Sequence, residues 1–76
     1  MKETRAIIEA WRIIEHYNGA YEIAGKIIGD RKKEFKDNEL IAVGNIEKLD
    51  LLNKKIETTD SIYFLGKHLY STVKAF

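Results

Sequence analysis

Three sites of turn and cap chemistry divide this chain: Asn18-Gly19, Asp37-Asn38 and the run Thr58-Thr59-Asp60-Ser61, with no proline in the segments between them. Each intervening segment spaces its apolar residues near 3.6, which predicts amphipathic helices. The first runs over 4–17, where Ala6, Ile7, Ala10, Trp11, Ile13, Ile14 and Tyr17 fall within an arc of roughly 160°. Thr4 is a suitable N-cap and Gly19 a suitable C-terminal stop. The second runs over 20–36, with Ala20, Ile23, Ala24, Ile27, Ile28 and Phe35 on one face. Gly25 and Gly29 cost it roughly 1 kcal/mol each relative to alanine, which close helix packing would justify.

The third segment covers 39–57, with Ile41, Ala42, Ile46, Leu49, Leu52 and Ile56 as its stripe. The fourth covers 61–75, where Ile62, Leu65, Leu69, Val73 and Phe76 recur at spacings of 3, 4, 4 and 3. A strand reading competes there, because 62–65 and 68–73 are rich in β-formers and Gly66-Lys67 suits a hairpin turn. Short connections make the four segments antiparallel neighbours. The expected fold is therefore all-α, a compact bundle of three to four helices in a single domain over 1–76. The alternative is α+β with a C-terminal hairpin at 61–73.

Size and composition narrow the function. Folding a chain of 76 residues buries roughly 60% of its unfolded surface, so a lone fold is marginal. The chain has no cysteine, which removes disulfides and thiolate metal sites and leaves a dense core or self-association to make up the deficit. Eleven isoleucines and six leucines supply ample core material. The net charge of +1 exerts no global pull on nucleic acid or anionic membrane. Glu9 and Arg12 interrupt the first apolar run, which reads against a signal peptide. No uncharged stretch approaches the length of a membrane span. The expected location is the cytoplasm.

Catalytic chemistry finds no footing. Ser71 and His68 are three residues apart, but nothing nearby would orient the imidazole. Two histidines 52 positions apart supply no zinc site, and the di-iron motif fails because Ile13 and Leu65 stand where glutamate is required. Calcium loops starting at Asp30 or Asp37 fail by position three or five, and the glycines are isolated rather than grouped around a phosphate. No catalytic residue, metal or cofactor is expected.

The surfaces say more. Arg31, Lys32, Lys33 and Lys36 form a basic cluster interleaved with Asp30, Glu34 and Asp37. Lys67, His68 and Lys74 make the last segment basic. These are the candidate anion or nucleic-acid contacts. Ile8, Leu40, Val43, Leu51 and Phe64 all fall outside the main stripe of their own segment, which marks them as a candidate partner or self-association surface. The expected function is that of a small non-enzymatic regulatory or adaptor protein acting by protein–protein binding, and the expected assembly is a homo-oligomer, dimer or higher. Its isoleucine- and lysine-rich, proline-free composition suits a phage or mobile-element inhibitor of a host or defence protein. The alternatives are nucleic-acid binding through 31–36 or the basic C-terminal segment, and an oligomeric small-molecule or nucleotide binder in which Trp11 or the tyrosines stack on the ligand.

Overall fold

The structure, a computed structural model, describes residues 2–69. No α-helix forms among them, so the helical bundle and the α+β alternative are both overturned. The chain builds one mixed sheet of six strands: β1 Glu3–Glu15, β2 Tyr21–Ile28, β3 Glu39–Val43, β4 Lys48–Asp50, β5 Lys55–Glu57 and β6 Ser61–Leu65. Their order in space is β3-β2-β1-β6-β5-β4. Two antiparallel meanders, β1-β2-β3 and β4-β5-β6, are joined by the parallel pairing of β1 with β6.

The turn chemistry stands where it was read, but it separates strands. Asn18-Gly19 closes the β1–β2 hairpin: Gly19 has φ +92°, and the His16 amide donates to the Ala20 carbonyl at 2.8 Å. Asn38, at φ +70°, opens β3. The Thr58 amide donates to the Ser61 carbonyl at 2.9 Å, closing the turn into β6. A further turn at 51–54, held by Asp50 accepting from the Asn53 amide, splits what was read as the third helix.

β-Branched isoleucine favours the pleated strand, where its stiff side chain packs well against neighbours. Ile8, Ile23, Ile27 and Ile56 are fully buried, with Ala6, Trp11, Val43, Tyr63 and Leu65 around them. Removing each isoleucine side chain from water contributes about 1.5–3 kcal/mol.

A single sheet reaches full burial of four side chains only by curling round them. Connectivity requires the same. β3 and β4 lie at opposite ends of the sheet, yet residues 44–47 alone connect them. That connection spans at most about 18 Å, whereas a flat sheet of this order would hold its edges about 24 Å apart.

Two irregularities in β1 assist the curl. Arg5 is an extra residue opposite β6, between the pairs Thr4–Ile62 and Ala6–Tyr63. Ala10 and Trp11 together face Gly25, between Glu9–Lys26 and Arg12–Ala24. Ala10 takes φ +51°, and the bulge turns Trp11 into the core. Gly25 is required by this approach: a Cβ there would stand 2.7 Å from the Glu9 carbonyl oxygen and 3.0 Å from the Trp11 Cα. The hairpin turn expected at Gly66-Lys67 does not form among the described residues, and positions 70–73 of that hairpin lie outside them. Beyond β6 the chain continues beside β1, with the Gly66 amide donating to the Ile8 carbonyl and the Trp11 amide to the Lys67 carbonyl.

Candidate interaction surface

The first bulge carries a polar cluster. Arg5 meets Asp30 through two hydrogen bonds, Nε to Oδ1 at 2.8 Å and Nη2 to Oδ2 at 3.1 Å. It also bonds Glu34 and the Tyr63 hydroxyl, and lies over the Phe35 and Tyr63 rings at 5.7 and 5.8 Å. The Asp30 carboxylate has no exposed side-chain surface. It accepts from the amides of Lys32, Glu34 and Phe35 as well. The Arg5 hydrogen bonds, reinforced by these amides against the cost of burial, hold the Asp30 carboxyl far below its usual range. Arg5 is held correspondingly above its ordinary value by Asp30. Every buried polar side-chain atom among the described residues has a partner. The cluster holds the loop 29–38 through Asp30.

The loop's cations gain from this. Arg5 draws Asp30 and Glu34 toward itself, and Lys32 reaches Asp60 at 3.4 Å. Arg31, Lys33 and Lys36 are exposed, and no described carboxylate lies within ion-pair distance of them. Lys67 lies on the same side of the molecule as Lys26, beside Glu9, which accepts the Lys67 amide at 2.9 Å. His68 stacks on Trp11 with ring centroids 4.0 Å apart. Lys74 and Ser71 lie outside the described residues.

The five residues read as misfits separate. Ile8 and Val43 belong to the core, at 0% and 7% exposure, so neither forms part of a surface on this sheet. Leu51 is exposed in the β4–β5 turn. Leu40, 75% exposed, projects from β3. Phe64 stands between the buried Tyr63 and Leu65 and therefore points away from the core. Trp11 is buried, donates to the Gly66 carbonyl at 3.0 Å and is covered by His68, so it presents no free face to a stacking ligand.

Phe64 is not isolated. Across the outward face, Ile28 of β2 pairs with Ile7 of β1, Ile7 with Phe64 of β6, and Phe64 with Lys55 of β5. Three adjacent apolar side chains thus form one row on the centre of the sheet, with Ile7 and Phe64 each 42% exposed. The next row on this face pairs Glu9 with Lys26 and Lys26 with Leu40. Two adjoining depressions lie alongside, sharing Ala10 and Leu69. One is lined largely by apolar residues of β1–β3, the other is bordered by Lys26, Lys67 and His68.

Helical wheels missed Ile7 and Ile28 because they placed both on a buried stripe. The signal was the doublets Ile7-Ile8 and Ile27-Ile28: in a strand, one member of each must face out. The described residues thus define a small curled-sheet protein with an apolar row on its convex face and a basic margin. No family model matches this chain, and no curated protein or solved structure matches it either.

Proposed function

We propose that this is a non-enzymatic protein-binding module, whose outward face receives a partner protein segment combining apolar side chains with carboxylates. The observation that carries the reading is the Ile28–Ile7–Phe64 row, three adjacent apolar side chains on the side of the sheet away from the core. Lys55 ends the row and Lys26 occupies the next one, with no described carboxylate within ion-pair distance of Lys26. An apolar centre beside cations favours a partner whose own apolar residues are flanked by acids. A small regulatory or adaptor role follows from that mode of action.

Panning a displayed random-peptide library against the chain tests the proposal. Enriched peptides should combine Leu, Ile or aromatic residues with Asp or Glu. Phe64→Glu should weaken them by at least about tenfold, as for a central interface aromatic, without lowering the unfolding midpoint. Failure to enrich any such sequence would sink the reading.

A second reading rests on the loop. With Asp30 and Glu34 committed to Arg5, the exposed Arg31, Lys33 and Lys36 present a cationic ridge suited to phosphates. Short DNA and RNA oligonucleotides titrated at two salt concentrations distinguish it. Affinity that falls steeply with salt and with Lys33→Ala supports nucleic-acid contact, and absence of binding at low salt removes it.

A further inference from the structure

The two ends of the sheet are built differently. β4 has three residues, of which Lys48 and Asp50 are charged, and a turn follows at once. Short, charged edges resist pairing with other strands. β3 is longer, and its Leu40-Ile41-Ala42-Val43 run has no charge, no proline and an unbroken register with β2. Among the described residues β2 is its one neighbour in the sheet. Because an antiparallel ladder uses the amides and carbonyls of alternate residues, the remaining ones face outward along β3, ready to accept another strand. Leu40 stands on this edge largely in solvent.

We infer that β3 pairs antiparallel, edge to edge, with β3 of a second copy of this chain. The strand is complementary to itself under the two-fold rotation that such an interface requires. Centred on Ile41, all five residues find an opposite: Ile41 meets its own copy, Leu40 meets the partner's Ala42, and Glu39 meets the partner's Val43. Leu40 and Ala42 lie on the outward face, so a large side chain is matched with a small one. Ile41 and Val43 lie on the core face, where Ile41 already packs against the core margin. Glu39 is the strand's one charge, and the antiparallel arrangement keeps it from its own copy. The result is a continuous sheet running through both copies, with the better-protected β4 edges at its two ends. The Ile28–Ile7–Phe64 row takes no part.

Sedimentation velocity on the full chain, at rising concentration, tests this. The unsubstituted chain should pass reversibly from monomer to dimer, and alternate β3 amides should exchange more slowly with deuterium as the dimer fills. Leu40→Lys and Ala42→Lys both lie on the exposed face and should weaken the dimer by at least about tenfold, with an unchanged far-ultraviolet spectrum and unfolding midpoint as monomers. Phe64→Glu should dimerise like the parent. A chain that stays monomeric, a dimer as strong in Ala42→Lys as in the parent, or a dimer lost in Phe64→Glu would each overturn the inference. None of these readouts depends on a peptide partner, so the outcome is separable from that of the library experiment.

Discussion

Residues 29–38 and β3 are consecutive in the chain and opposite in construction. The loop has all ten residues outside regular structure, seven of them charged and one an asparagine, and is held by one buried carboxylate accepting from Arg5 and three backbone amides. β3 has one charge in five residues, and half of its backbone groups face away from β2, its one strand neighbour among the described residues. Stability in this small protein is concentrated where polar groups are satisfied internally. The outer backbone groups of β3 and the outward apolar side chains have no such partner among the described residues. Hydrogen-bonding demand is the common cause: a buried polar group must find its partner within the chain, and an edge group can find one in another chain.

The largest way to break this comparison is Asp30→Ala. It strands the mostly buried Arg5 guanidinium and releases three amides, and should cost about 3–5 kcal/mol in urea unfolding. Acid should act through the same group. Asp30 has a folded-state pKa below its unfolded value, so its stabilising contribution is complete above about pH 4 and is lost as pH falls below that. Urea midpoints measured between pH 7 and pH 2 should fall in the parent and fall less in Asp30→Asn.

Gly25→Ala comes next. The added methyl meets backbone atoms of the β1 bulge, which cannot move aside as a side-chain end could. A loss of about 1–3 kcal/mol is expected, and an unchanged midpoint would show that the bulge can relax. Glu34→Ala sharpens the contrast within the loop itself. Glu34 contacts the same guanidinium as Asp30, but its side chain is 62% exposed, so its loss should cost less than about 1 kcal/mol. The smallest effect on folding belongs to Leu40→Lys, within about 0.5 kcal/mol as for other surface changes. Its effect should be confined to association.

The outcome at each segment shows what periodicity could and could not reveal. Asn18-Gly19, Asp37-Asn38 and Thr58 to Ser61 all proved to be boundaries between elements, because their left-handed or side-chain-capped geometries serve a hairpin as well as a helix end. The element type was misread for two reasons. In β1 the bulge at Ala10 breaks the alternation, so the buried positions Ala6, Ile8 and Trp11 are spaced by two and then three. In β6 the spacing that joined Ile62 to Leu65 linked residues on opposite faces of a strand. Apolar residues on both faces blur a period of two, and here the outward face carries Ile7, Ile28, Leu40 and Phe64. Isoleucine enrichment was the better evidence, because its β-branch favours the strand whatever the period.

The candidate surface was legible in part. Phe64 and Leu40 were singled out as misfits and do face outward, but Ile8 and Val43 are core residues and Leu51 lies in a turn. The basic run 31–36 was visible, whereas its neutralisation by neighbouring acids was not what it appears on paper: Arg5, 25 residues upstream, claims Asp30.

Local chemistry therefore determined three of the places where the chain turns, that cysteine takes no part in holding it, and that it carries enough aliphatic material for a core. These are properties of a residue and its neighbours within a few positions. Only tertiary structure decided that the segments extend, that β1 pairs in parallel with a strand more than fifty residues away, and which isoleucine of each doublet faces water. Strand pairing satisfies backbone groups across long sequence separations, so its register and its faces are set by partners that no local window contains.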